Sequence, residues 1–335
     1  MANIHDVARV AGVSISTVSY ALSGKRSIGE DTRRRVEDAV RELDYLPNAA
    51  ARMLAGTRTN ILAVTAPLRA DTYAPAHMAF VLAVATAARR YDYDVLLLTQ
   101  DEATGGLRRV AASRLVDGII VLDVSNDDER ADLVRDLSIP AALVGVPGNA
   151  EGLICVDLDF EAAAALAVDR LADAGHRTLG LIGHPADVYE RGANFPTRFR
   201  DGFLARARER GVRAAFAMPG RDAAGSRAAL EMLTSQAPGL TGLVIHAEET
   251  IHTNVLELLR MGGISIPGDM SVISAGSTFD TSRFTPPLDV IPLVPAASCD
   301  RAVELAITQL SERLKPRVEL IAPIYREHGS VGPPG

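Results

Sequence analysis

From about residue 60 onward the sequence repeats one device: a short apolar run of strand length, then a stretch whose apolar residues recur at helical intervals. The runs are NILAVTAP (60–67), DVLLLT (94–99), GIIVLDV (118–124), AALVGV (141–146), LICVDLD (153–159), TLGLIGH (178–184), GLVIHAE (242–248) and MSVISAG (270–276). Segments 160–174, 198–211, 249–261 and 296–314 read as amphipathic helices. Strands alternating with helices build parallel sheets covered on both faces, so the body is α/β. Such folds bind ligands beyond the carboxyl ends of their strands. The loops in those places are LRADTYAP (68–75), with Arg69, Asp71 and Tyr73, and HPADVYERGANFPTR (184–198), with Tyr189, Arg191 and Arg198. HAEE (246–249) adds His246 and Glu248. Such a site can set flat apolar surface beside these charged hydrogen-bonding groups. The chain has no Trp, so Tyr73, Tyr189, Phe195 and Phe279 are the candidate stacking surfaces.

A chain of 335 residues suggests two or three domains. With 47% hydrophobic and 23% charged residues it has ample apolar surface for a folded core. The two cysteines, Cys155 and Cys299, rule out a disulfide-stapled scaffold and suit a reducing compartment. MANIHDVARV has no apolar core of a secretory signal, and eighteen apolar residues never run together. A cytoplasmic protein without a membrane span is the expectation. No strand is followed by G-x-G-x-x-G, no P-loop or G-x-S-x-G elbow occurs, and no His, Cys or Asp cluster has metal-ligand spacing. The expectation is therefore no enzyme, no cofactor and no metal. Taken whole, the net charge of −7 argues against nucleic acid, but the charge is uneven. Residues 1–60 hold nine Arg and Lys against seven Asp and Glu, where the whole chain has 35 against 42.

Those sixty residues have their own pattern. HDVARVA (5–11) puts Val7, Ala8 and Ala11 on one helical face. Gly12-Val13 breaks the helix, and Ser14 is a good cap for a second one, ISTVSYAL. There Val18 and Leu22 are spaced to turn inward beside Ala21, which leaves Ile15, Ser16, Ser19 and Tyr20 outward. A third helix over 31–44 carries Val36, Val40 and Leu43. Three helices with a glycine turn between the first two make a helix-turn-helix, whose second helix fits a DNA major groove. The same pattern also suits a plain three-helix packing module with a solvated polar face.

NIHDVARVAGVSISTVSYALSGKRSIGEDTRRRVEDAVRELDYLPNAAARMLAG (3–56) resembles the headpiece of LacI/GalR-family bacterial repressors, with DVA, AGVS, TVS and TR..V..A...L.Y.PN in register. The wording of TVSYALSGKRSI and CVDLDF is similar to cellobiose- or β-glucoside-responsive members. The resemblance implies base contacts from Ile15, Ser16, Tyr20 and Arg26, with Thr17, Ser19 and Asn48 as phosphate or positioning contacts. It also implies that PNAAARMLAG (47–56) is a hinge helix that orders on DNA, where Leu54 wedges into the minor groove. A helix that short is marginal on its own. The implied layout is an all-α helix-turn-helix headpiece (1–46), a hinge helix (47–57) and a two-lobed periplasmic-binding-protein-like domain (58–330). Its N-lobe covers about 60–158 and 292–319, and its C-lobe about 161–289 and 323–330.

The implied function is a transcriptional repressor that binds a palindromic operator as a homodimer and is released by a small sugar, cellobiose or another β-glucoside. The alternatives are a regulator of this type with another ligand or with co-repression, and a cytoplasmic sugar-binding protein with no DNA role. The chain departs from the family in its pocket. Gly276 and Gly145 stand at positions that are often acidic, and Ala247 stands where an Asn is common. Ligand anchoring is therefore expected from Asp123, Glu248 and the 184–198 loop. The ending GSVGPPG reads as a flexible tail and not as a tetramerising helix.

Overall fold

The computed structural model describes residues 2–23, 28–45, 58–69, 72–99, 102–137 and 139–335. The chain divides into two compact units, an N-terminal one reaching Asn60 that also includes Leu115–Asp117, and the remainder. Arg26, Asn48, Leu54 and Asp71, with the whole 47–57 segment, lie outside the described residues.

In the N-terminal unit, α1 (Ile4–Ala11) opens on a capping box between Asn3 and Asp6. It closes on Gly12 at φ 63°, a left-handed cap that a residue without Cβ takes at no cost. The turn leads into α2 (Ile15–Ser23), where the Thr17 amide donates to Ser14 Oγ at 3.1 Å. α3 (Glu30–Glu42) completes the trio. Val7, Ala8, Ala11, Val18, Val36, Ala39 and Tyr45 form one small core. The spacing argument placed Leu22 inside as well, yet it is 38% exposed. This core closes over Val18, with Ala21 packed partly buried against it, and Leu22 lies on the more exposed side of the last turn of α2.

The body holds two parallel sheets. The first contains β1 (Ile61–Thr65), β2 (Asp94–Leu98), β3 (Gly118–Val121), β4 (Ala141–Val144), β5 (Ile154–Leu158) and β11 (Arg317–Ile321). Their order is β11-β5-β4-β3-β1-β2. Helices α4 (Ala74–Arg89), α5 (Glu102–Ala112), α6 (Glu129–Asp136) and α12 (Pro295–Thr308) accompany it. The second sheet, ordered β10-β9-β8-β6-β7, contains β6 (Thr178–Ile182), β7 (Arg213–Ala217), β8 (Gly242–Ile245), β9 (Ser271–Ser277) and β10 (Asp289–Pro292). α7 (Phe160–Asp173), α8 (Ala186–Glu190), α9 (Asn194–Glu209), α10 (Ala223–Gln236) and α11 (Glu249–Met261) belong to that lobe. β3, β4, β5 and β8 are buried at every residue, as strands covered on both faces must be. The chain passes between the sheets three times: after β5, after β10 and after β11.

The terminal segment is not a loose tail. Val290 and Arg326 form an antiparallel bridge, and Ser330 is fully buried, donating to the Val272 carbonyl. Its anchor is Asp289, 3% exposed, whose carboxylate accepts the Tyr325 hydroxyl at 2.6 Å and the amides of His328, Gly329 and Ser330. Gly and Pro richness suggested flexibility because it shows nothing of this distant acceptor. Asp289→Ala leaves the buried Ser330 amide unpaired, at about 1–3 kcal/mol, and removes three partly buried hydrogen bonds from Tyr325, His328 and Gly329. A loss of roughly 3 kcal/mol in a urea melt is the expected outcome.

Candidate functional site

On the headpiece, burial of Val18 fixes which way α2 faces. Ile15 is 41% exposed, Tyr20 37%, and Ser16 is exposed too, while Thr17 and Ser19 are half-buried. Ser14 Oγ lies 2.8 Å from both Ser16 Oγ and Thr17 Oγ1, so a hydroxyl cluster marks the start of the helix. No acidic side chain occupies its first turn. This is an outward, uncharged face carrying an apolar residue, hydroxyls and one aromatic ring. It can offer donors, acceptors and van der Waals surface to base edges.

In the body, a cavity of about 180 Å³ lies between the two lobes, at the carboxyl ends of strands from both sheets. Lobe-one residues reach it from the loop and first turns of α4 (Tyr73, His77 and Phe80), from the turn after β3 (Asp123) and from the end of β5 (Asp157). Lobe-two residues come from the start of α7 (Phe160), the 184–195 segment (His184, Arg191, Asn194, Phe195), and the ends of β8 and β9 (Glu248, Thr278, Phe279). Five aromatic rings thus stand beside three carboxylates.

Four of the ligand-binding candidates, Tyr73, Asp123, Arg191 and Glu248, meet at this cavity. Asp123 receives Arg69 Nη1 at 2.5 Å and Arg191 Nη2 at 3.0 Å, so one carboxylate ties lobe one to lobe two. Tyr73 donates to Glu249 Oε2 at 3.5 Å, a second link across the cleft. Glu248 is 9% exposed; burial raises its carboxyl above the ordinary range, against the pull of Arg221.

Three candidates do not line the cavity. Arg69 touches it only through Asp123 and faces an adjoining polar recess. Tyr189 turns away, its ring edge-on to Phe216 at 5.7 Å between centroids. Arg198 is held beneath, bound to Asp157 at 2.8 Å and to Glu161 at 2.7 Å. Loop position alone could not separate these, because residues in the same loop point to different partners.

His77, Phe80, Asp157, Phe160 and Asn194 escaped the sequence reading. The rule of strand ends, applied to β5, points to Asp157 and Phe160; nothing local singles out His77 or Phe80 on α4. Burial pushes Asp157 up to about 7 despite Arg198. Burial holds His184, in the cavity wall, down to about 3 and His252, behind it, to about 4, with His246 also well below its ordinary value. All three stay neutral, and His246 stacks on Phe199 at 4.1 Å.

Gly145, Ala247 and Gly276 also line the cavity, so the positions where an acid or amide was expected are bare. Gly276 cannot simply regain a side chain. It sits at φ +64°, and a Cβ there would lie 2.7 Å from His246 Cδ2. Arg198 is engaged by Asp157 and Glu161, and Arg191 by Asp123. The arrangement suits a neutral, hydroxyl-rich ligand with at least one apolar face.

Residues 3–48 match the family model "Bacterial regulatory proteins, lacI family", and residues 168–331 match "Periplasmic binding protein-like domain". Catabolite control protein A of Staphylococcus xylosus is 32% identical over 183 residues, covering 54% of this chain and 55% of that one. The chain thus matches only about half the length of that relative. The HTH-type transcriptional regulator RegA of Clostridium saccharobutylicum is 28% identical over 298 residues, covering 86% of both chains. Among solved structures, a lac repressor dimer bound to operator and the anti-inducer ONPF superposes with TM-score 0.77 at 22% identity, covering 99% of each chain. A complex of the transcriptional regulator CelR with cellobiose gives TM-score 0.68 at 21% identity, covering 98% of this chain and 100% of that one. At such identities the likeness establishes the fold.

Proposed function

Since the chain joins a LacI-family helix-turn-helix domain to a periplasmic-binding-protein-like domain, we propose that it represses transcription by binding a palindromic operator as a homodimer and lets go when a small sugar enters the cleft. One observation carries the DNA half of this reading. Val18 is fully buried while Ile15, Ser16 and Tyr20 on the same helix stand outward and uncharged. Two such helices in a two-fold dimer read two half-sites, which is why the operator is a palindrome.

The effector half rests on aromatic rings and carboxylates facing one cavity between lobes. A cello-oligosaccharide or related β-glucoside fits that chemistry, and the fold shared with the CelR–cellobiose complex supports it. The bare positions at Gly145, Ala247 and Gly276 favour a second reading within the family, a different neutral sugar. The segment 47–56 couples the halves in this proposal. It is too short to hold a helix unaided, so it orders only when DNA and subunit geometry agree. A sugar shifts that balance by binding the two states unequally.

Operator fragments are first selected from random duplexes with the full chain, then titrated in mobility-shift assays. Cellobiose, sucrose, glucose 6-phosphate and hypoxanthine are each added to the complex. A palindromic site released by a neutral disaccharide is the expected result; release only by glucose 6-phosphate or hypoxanthine overturns the sugar assignment, and failure to select any site overturns the repressor. In the same assay Leu54→Ala is expected to weaken specific binding at least tenfold while leaving the dimer intact, through loss of the minor-groove wedge. Affinity should also fall with rising salt as counterions are released.

A further inference from the structure

At the first turn of α6 a guanidinium is buried almost completely. Arg130 is 3% exposed, and its partner Asp128 9%. The pairing is two-pronged, Nε to Asp128 Oδ1 at 2.9 Å and Nη2 to Oδ2 at 2.6 Å. The other N–H groups point at strand ends: Nη1 donates to the Leu122 carbonyl at 2.9 Å and to Thr65 Oγ1 at 3.3 Å, and Nη2 to the Asp123 carbonyl at 2.9 Å. One cation therefore gathers the carboxyl ends of β1 and β3.

A buried pair of this kind is weak evidence for stability, because apolar residues of similar volume often serve as well. What the pair holds is more telling. Asp123 sits at φ +53°, a left-handed conformation uncommon for a residue with a Cβ. So held, it receives Arg69 from its own lobe and Arg191 from the other. The turn continues the link. Asp128 Oδ2 accepts the Ser125 amide at 3.0 Å, Ser125 bridges Ala193, and the Asn126 amide donates to the Gly192 carbonyl at 2.7 Å. Every one of these cross-lobe contacts comes from the turn that Arg130 and Asp128 fix in place.

We propose that Arg130 is a positioning residue: by holding the backbone at Leu122–Asp123 and, through Asp128, at Ser125, it presents the 123–126 turn to the opposite lobe, so that the cleft is drawn closed by the protein's own contacts before any effector arrives. This rests on reading the body as a two-lobed effector domain. It sets where the open–closed balance lies in the free protein, and hence how much of its binding energy an effector must spend on closure.

The test is hydrogen–deuterium exchange on the full chain with no DNA and no sugar, so it stands or falls apart from the repressor reading. Arg130→Met combined with Asp128→Leu removes both charges and leaves neither buried alone. Peptides covering 122–128 and 191–195 are expected to exchange at least tenfold faster, with β3 and β6 unchanged. Arg130→Lys keeps the charge but not the fork and should fall between. Asp123→Asn should loosen 191–195 and spare the Ser125 amide held by Asp128. Wild-type rates at 122–128 and 191–195 in the double variant overturn the proposal, as does equal acceleration in β3. Should the double variant lose protection throughout, the Lys variant decides: partial loosening confined to the two segments supports positioning, and wild-type rates overturn it.

Discussion

Val36→Asp is expected to abolish operator binding while the body melts as before. Val36 is fully buried in a small core that has seven buried residues among the described ones. An unpaired carboxylate there costs several kcal/mol. A domain of this size has little more than about 3–5 kcal/mol to lose. The body has separate cores around its two sheets, among them Leu62, Val64 and Ile120 in one lobe and Phe199 and Phe203 in the other. Circular dichroism should therefore show the body's transition at its normal temperature, while the mobility shift disappears. Operator binding at wild-type affinity would mean that α1–α3 is not the reading element.

Acidification is expected to destabilise the body from about pH 6.5 downward, because three buried histidines outweigh Asp157, whose carboxyl, raised to about 7, takes up a proton in the folded state and pulls the other way. His184, His246 and His252 are held neutral by burial, at about 3 for the first and about 4 for the last. Unfolding frees them to take a proton near pH 6.5, so below that value the unfolded chain binds protons the folded one refuses. Each histidine then contributes up to about 1.4 kcal/mol per pH unit, until the pH reaches its folded value. Asp289 adds to the trend at lower pH. Burial would raise it, but Tyr325 and three amides outweigh that and hold it below its ordinary value, so its stabilisation is lost on protonation. Thermal melts at pH 7.5, 6.5, 5.5 and 4.5 check this. A melting temperature flat down to pH 5 would show that the cluster accepts protons while folded. His246→Phe, stacked against Phe199, should flatten part of the slope.

Much of the fold was legible because its signals are local. The runs at 61–65, 118–121 and 242–245 are apolar at nearly every position, as doubly covered strands are, and could not be mistaken for surface. β7, RAAFA, was missed because it lies at a sheet edge and is rich in alanine, which has little strand preference. β10 and β11 are not among the apolar runs; each is short and is recognisable as a strand through its neighbour, β9 or β5. Of the cleft, the residues on strand-end loops could be named, but His77 and Phe80 could not. They reach the cavity only because α4 begins beside it.

The sequence by itself determined the two-part plan and which face of α2 turns outward. Helix spacing, the Gly12 turn and doubly buried strands are set by nearest neighbours along the chain, and those are written in order. Tertiary structure alone decided which loop residues share the cavity, that Arg198 and Tyr189 serve other partners, and that the terminal Gly-Pro segment is strapped down by Asp289. Those outcomes depend on carboxylates, rings and amides far apart in sequence, and only the packing of the two lobes brings them within hydrogen-bonding distance.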